Sequence, residues 1–329
     1  MSSDAQIRAP SPIQRLRTVL FSQEGILFLI LVVVVAVLAG RSDAFFTPRN
    51  LLNQGRLMSE VGLVALPMTF IIITGGIDLS VGSILGLCAV LLGVLWGGLG
   101  LPLGLVLVLV LLVGVLAGLF NALLIVRVGV PPLIMTLATL ALYRGLAQGI
   151  SEARSVTGYP EWFFRFGQGN VAGLPTQLGL FIVMAILAAV VLRSTTLGRT
   201  LYAIGNNPVG ARFSGLPVGR NLALIYAFSG LMAALAAIIF VSRVTTTRSD
   251  MGSGLELDAI AAVVLGGTSI FGGKGSILGT VIGLVLIQLL KNGLALMGVT
   301  SDATIIVIGT MLILAILVNN FIQNRRAGI

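Results

Sequence analysis

Residues 193–220 read RSTTLGRTLYAIGNNPVGARFSGLPVGR, and they lie between one apolar run at 175–192 and another at 221–241. Arg193, Arg199, Arg212 and Arg220 all fall in this stretch, and no acidic residue shares it. The flanking runs are close to the roughly 20 residues that a helix needs to cross a bilayer. A polar interruption of about 28 residues is far longer than two neighbouring spans need for a connection, and such segments usually carry function. The stretch therefore reads as a docking handle on a chain that is otherwise threaded through a membrane.

Composition agrees with that reading. Of 329 residues, 57% are hydrophobic and only 9% are charged, where a soluble domain carries about a quarter charged residues. Mean hydropathy is +1.09. Further apolar runs at 25–40, 58–74, 80–97, 100–126, 131–150, 257–270, 276–297 and 302–320 give an all-α membrane protein of about ten transmembrane helices. The expected organisation is a cytoplasmic N-terminal segment at 1–24, a single transmembrane domain at 25–320 carrying the polar loop at 193–220, and a cytoplasmic tail at 321–329. An even number of spans puts both ends on one side. Arg8, Arg15, Arg17, the four loop arginines, Arg325 and Arg326 then share that side, which the positive-inside rule makes the cytoplasm. Arg41, Arg49, Arg154, Arg165, Arg243 and Arg248 fall in outer segments, beside Asp43, Glu152, Glu161, Asp250 and Glu256. The arginines ahead of the first apolar run also match a signal peptide, but the spans that follow make the run the first transmembrane helix.

Several functions are excluded at this stage. The formal charge of +9 is spread over loops and tails instead of forming the basic face that nucleic acid requires. No histidine is present, and the single cysteine, Cys88, sits inside an apolar run, so neither a disulfide nor a thiolate or imidazole metal site is expected. No nucleophile and base pair stands out, and an enzyme is not expected. The run GGTSIFGGKGS at 266–276 has a glycine-rich loop and a lysine, yet Thr268 and Gly275 stand where a P-loop needs glycine and a hydroxyl residue, so nucleotide is not bound there.

The polar residues at membrane depth are the candidate pathway. Asp78 in ITGGIDLSVGS (73–83) is an acid between two apolar runs, a functional hypothesis by default; Asp78 or Ser80 serves equally as the cap of the next helix. Gly75 and Gly76 supply a hinge or close backbone approach beside it. The run at 257–270 is too short to cross cleanly, and its AIAAVVLGG ends in Gly266 and Gly267, followed by Thr268. It reads as a broken or re-entrant helix beside a pathway, since irregular backbone is tolerated at depth only against protein or water. Glu256 and Asp258 just before it either meet the helix dipole or face the pathway. Asn121 and Asn292 lie in apolar helices, where an amide seeks an interhelical partner or a solute. The pentapeptide GSILG occurs at 82–86 and again at 275–279, each time opening an apolar helix, which hints at an internal repeat.

Four blocks, GLELDAIAAVVLGGTSIFGGKGSILGT (254–280), ITGGIDLSVGS (73–83), PPLIMTLATLALYRGLA (131–147) and GRTLYAIGNNPVGARFSG (198–215), resemble the permease subunits of ribose-, rhamnose- and autoinducer-2-type sugar ABC importers, over residues 45–320 in the same order. The resemblance implies a cobalamin-importer-like (type II-like) permease fold in the bacterial inner membrane. It implies partners: a second permease copy or paralogue, ATP-binding cassette subunits that use the ATP, and a periplasmic sugar-binding protein. No cofactor is expected on this chain. The block at 198–215 becomes a short coupling helix seated on the ATPase, with Gly198, Arg199, Tyr202, Gly205, Asn206, Ala211, Arg212 and Gly215 as its residues. Its arginines suit charge-assisted bonds, Tyr202 an aromatic anchor, and Gly205 and Gly215 tight turns. Many relatives carry paired alanines where this chain has Pro208, Val209, Gly210 and Ala211, so helicity is expected to fall there. The implied function is import of a ribose- or rhamnose-like monosaccharide, or alternatively of autoinducer-2. A different mechanism, an ion-coupled secondary sugar carrier, needs a titratable group at mid-membrane, and the sequence offers Asp78 for it.

Overall fold

The computed structural model describes residues 23–310 except Ala153, together with the isolated positions 313 and 317. Most of the expected segment 1–24, the tail 321–329 with their arginines, and the remainder of the run at 302–320 lie outside the described residues. The order is α1 (Gln23–Ala39), α2 (Pro48–Ile73), α3 (Val81–Gly93), α4 (Leu103–Leu123), α5 (Pro132–Ser151), α6 (Glu161–Gln168), α7 (Thr176–Ser194), α8 (Thr196–Asn206), α9 (Pro208–Phe213), α10 (Val218–Val244), α11 (Leu255–Leu265) and α12 (Ile277–Leu296), followed by α13 (Ser301–Thr310). Two-residue strands make two small ribbons, with Val156–Thr157 paired to Thr246–Thr247 and Asn170–Val171 to Leu174–Pro175.

Among the described residues seven helices are long and apolar enough to cross a membrane: α2, α3 with its π-helical extension to Gly98, α4 with its extension to Val128, α5, α7, α10 and α12. Of the most apolar window, 78% is buried in α2 and 67% in α3 and in α10, against 28% in α5 and 22% in α7. The first three therefore form the protein core, and α5 and α7 present apolar side chains outward as a lipid-facing helix should. Small residues let helices meet by their backbones. A side chain on Gly114 of α4 would overlap the Gly230 carbonyl of α10, and one on Gly230 would overlap the Gly114 carbonyl.

Two expectations are corrected. Helix α2 starts at Pro48, ten residues ahead of the run at 58–74: Thr47 caps it by accepting the Asn50 N–H, and proline occupies its first turn, a pairing that favours initiation. Its polar first turns are held by amides of α12. Asn50 and Asn292 exchange two hydrogen bonds of 2.8 and 2.9 Å, and Gln288 donates to Gln54 at 2.8 Å. The segment 193–220 is likewise mostly helical. Pro208 costs helicity only at Asn207, which is extended between α8 and α9; beyond it Pro208 opens α9, with Asn207 accepting the Gly210 N–H at 2.8 Å, because proline's missing N–H is no loss in a first turn.

Candidate functional site

Helices α8 and α9 are tied to the membrane-spanning part by backbone contact. Gly205 is in helical conformation and forms no turn. A side chain there would overlap the Ile73 carbonyl at the end of α2 and the Gly273 nitrogen. The same Ile73 carbonyl accepts the Gly273 N–H at 2.9 Å, and the Tyr202 hydroxyl donates to the Gly275 carbonyl at 2.7 Å. Three segments thus lock together: α8, the end of α2, and the turn at 269–275. Gly198 is buried under the Leu192 carbonyl, Asn206 stands over Gly273, and Gly215 takes φ +78° to end α9. Ala211 packs with Ile204 and Val218 in a small apolar cluster. Arg199 and Arg212 are exposed, and among the described residues neither joins an ion pair. Phe213 is 89% exposed and Phe271 72%, so this end of the molecule offers bare rings and unpaired cations together.

The turn leaving α2 carries Gly75, with φ +81°, then Gly76, Ile77 and Asp78. Asp78 is fully buried. Its Oδ1 accepts the Ser80 N–H at 3.0 Å and the Ser80 hydroxyl at 2.6 Å, and its Oδ2 accepts the Ser229 hydroxyl of α10 at 2.9 Å. Asn121 of α4 donates to Ser80 Oγ at 2.8 Å. Ser80 occupies the cap position of α3 but makes no side-chain cap bond, its hydroxyl being committed to Asp78. The turn is held to α5 by Thr136 Oγ1, which donates to the Ile77 carbonyl at 3.0 Å.

The other end of this core is held by charge. Glu60 of α2, only 4% exposed, receives Arg243 Nε at 2.6 Å and Nη2 at 3.0 Å, and the guanidinium lies 4.9 Å from the Phe240 ring centroid. Lys291 of α12 pairs with Asp258 at 2.6 Å. Arg144 of α5 donates to the Ser249, Met251 and Gly82 carbonyls at 2.6, 2.9 and 3.2 Å. Glu256 accepts the Gly254 N–H at 3.3 Å through Oε1, a capping role, while its buried Oε2 abuts Gly82. Exposed Arg248 pairs with Asp250, and this hydrogen-bonded guanidinium holds the Asp250 carboxyl below its ordinary range. A cavity of about 410 Å³ opens here, lined by Val61, Phe240, Arg248, Asp250, Ser253 and Asp258 among others.

Between these ends the broken helix appears as α11. Its eleven residues span about 16 Å, and it stops where the Gly266 and Gly279 backbones touch. Gly267 takes φ +92°, and Thr268 is buried beside Gly275. The candidate pathway residues are thus distributed. Gly75, Gly76, Asp78, Ser80 and Asn121 come together; Glu256 and Asp258 lie at the charged end; Gly266, Gly267 and Thr268 form the break; Asn292 belongs to the amide pairing of α2 and α12. Sequence reading missed Glu60 and Arg144, and placed Arg243 in an outer segment without its partner Glu60. Glu60 and Arg144, like Lys291, are charged residues inside otherwise apolar runs, a signal that was available.

A multi-span helical protein with a half-length helix ending in glycine at depth, and a polar cluster buried between its spans, has the build of a membrane permease. The family described as "Branched-chain amino acid transport system / permease component" matches residues 50–316, and the chain belongs to it. The chain is 42% identical over 292 residues to the ribose import permease protein RbsC of Bacillus subtilis (strain 168), covering 88% of this chain and 89% of that one. It is 41% identical over 282 residues to the autoinducer 2 import system permease protein LsrD of Yersinia enterocolitica, covering 81% and 85%. The corresponding protein of Photorhabdus temperata is 41% identical over 262 residues, 78% of each chain. No solved structure matches.

Proposed function

We propose that this chain is the translocation subunit of an ATP-driven, binding-protein-dependent importer that carries a monosaccharide, ribose- or rhamnose-like, across the bacterial inner membrane. The observation that carries the reading is identity of about 40% along four fifths of the chain to permeases named for ribose and autoinducer-2 import. The polar set at depth, of serine, threonine, asparagine and one carboxylate bonded by hydroxyls, suits a neutral polyhydroxylated solute. Autoinducer-2 is the second reading, favoured by the LsrD relatives.

On this reading the seven long spans, the shorter apolar helices α1 and α13 and the broken α11 make about ten membrane helices in a cobalamin-importer-like fold. Both termini and the α8–α9 end face the cytoplasm. There Arg199, Arg212 and Phe213 meet an ATP-binding subunit, which supplies the nucleotide chemistry; a second permease, identical or paralogous, completes the pathway, and a periplasmic sugar-binding protein docks on the far side. The seam of Gly205, Tyr202, Ile73 and Gly273 passes motion of the ATPase to the turn that holds Asp78.

The test is uptake of labelled ribose, rhamnose and autoinducer-2 by vesicles holding this chain with its neighbouring ATPase and binding protein. Uptake of one solute that needs ATP, and that is lost when Arg199 and Arg212 are both changed to Glu while the chain still inserts, is the expected result. Uptake that ignores ATP and follows an imposed ion gradient overturns the reading in favour of a secondary carrier.

A further inference from the structure

The importer reading, on which Asp78 braces the turn after α2, leaves its charge without a counter-charge. The carboxylate is fully buried, and its hydrogen-bond partners are all neutral: the Ser80 N–H and hydroxyl, and the Ser229 hydroxyl. A desolvated charge is normally retained only when paired or bound to a metal. The same molecule shows the usual solution at Glu60, on the helix α2 that leads into this turn, which is met by Arg243 at 2.6 Å. At Asp78 no described cationic side chain forms an ion pair.

Two further oxygens in this cluster lack partners. Asn121 is fully buried; its Nδ2 donates to Ser80 Oγ, which fixes the amide against the carboxylate shell, and its Oδ1 has no hydrogen-bond partner. Tyr226 stands three residues before Ser229 on α10, so both share one face. Its buried hydroxyl also lacks a partner and lies over Gly76, two residues before Asp78. The carboxylate, the amide oxygen and the phenol oxygen come from three separate elements: the turn after α2, helix α4 and helix α10.

We infer that Asp78, Asn121 Oδ1 and the Tyr226 hydroxyl, with Ser80 and Ser229 in support, form a buried site for a monovalent cation of sodium size. The donor set is hard oxygen only, which suits alkali or alkaline-earth ions over transition metals. One carboxylate balances one positive charge, and no cluster of three or more acidic, cysteine or histidine side chains exists among the described residues, where a divalent ion would call for more carboxylates. Unwound backbone between two helices at membrane depth is a recurrent setting for sodium. The bound ion neutralises Asp78 and ties the turn after α2 to α4 and α10, so it acts on the stability of the permease, and transport is still driven by ATP.

The experiment uses the full chain purified in detergent, without partners or solute, and so is independent of the uptake test. Its thermal midpoint is followed in sodium, potassium or choline chloride at constant ionic strength, and ²²Na⁺ binding is measured by equilibrium dialysis. The expected result is a saturable rise of about 5 °C with sodium, less with potassium and none with choline, and one sodium bound per chain. Asp78→Asn is expected to abolish both the rise and the binding. Tyr226→Phe, a milder change that keeps the ring, is expected to weaken binding about tenfold, so the result does not hang on the folding of Asp78→Asn alone. Equal midpoints in sodium and choline, or no sodium bound by the wild-type chain, overturns the inference.

Discussion

The two regions that hold α2 use opposite means. Around Ile73 the chain is joined by backbone lying on backbone, with Gly205, Gly273 and the Ile73 carbonyl in contact and one tyrosine hydroxyl across the seam. Around Glu60 and Val61 it is joined by a charged pair, Glu60 with Arg243, and the same end of the molecule holds Asp258 with Lys291 and Arg144 with three carbonyls. A backbone seam has one geometry and no rotamers with which to adjust, so a displacement of α8 must be passed on to α2. Ion pairs on long side chains can lengthen and exchange partners, so the charged end can admit a guest without dismantling its helices. The contrast suits a protein driven from one end and opened at the other.

The harshest way to break this contrast is to put a side chain into the seam. Gly205→Leu has no room beside the Ile73 carbonyl, and a loss of about 3 kcal/mol is expected, read as a lower thermal midpoint in detergent together with loss of ATP-driven uptake. Next comes Glu60→Ala, which strands Arg243 in a partly buried position; about 2 kcal/mol is expected, below the value for a fully buried pair because the arginine retains some solvent. If Glu60→Ala proves costlier than Gly205→Leu, the charged end is the rigid one and the comparison inverts. Asn292→Ala removes one half of the amide pair with Asn50 and is expected to lower stability by about 1 kcal/mol, measurable by the same unfolding assay. Smallest of all, Arg248→Ala breaks only an exposed pair with Asp250 and is expected to leave the midpoint unchanged; a drop there means that this arginine is covered in the assembled protein.

The spans were legible because runs such as 100–126 are apolar from end to end, and composition alone separates them from loops. Where side chains are polar, hydropathy misleads. The first turns of α2, with Asn50, Gln54 and Arg56, look like loop until α12 supplies matching amides, and α8 and α9 look like loop because one of their faces is exposed. Both starts nonetheless carried a local signal, Thr47-Pro48 and Asn207-Pro208, each a capping residue followed by a first-turn proline. The glycines and polar side chains of 198–215 and of the turn 75–80 mark those segments in the sequence, and Gly205 with Tyr202 in the one and Asp78 with Ser80 in the other make close contacts. What the sequence could not provide was pairing across distance: that Gly205 rests on Ile73, that Arg243 answers Glu60, or that Asn121 and Tyr226 converge near Asp78.

The position of the cavity on α2 has an electrical consequence. Val61 lines it and Ile73 closes the opposite end, twelve residues or about 18 Å along the helix axis, against a hydrocarbon slab of about 30 Å. If the cavity is filled by outside water, the insulating septum is little more than half the membrane, and the resting voltage falls across that shorter distance. A charged passenger would meet that field at about 2.3 kcal/mol per charge for each 100 mV, and a neutral sugar would pass through it untouched.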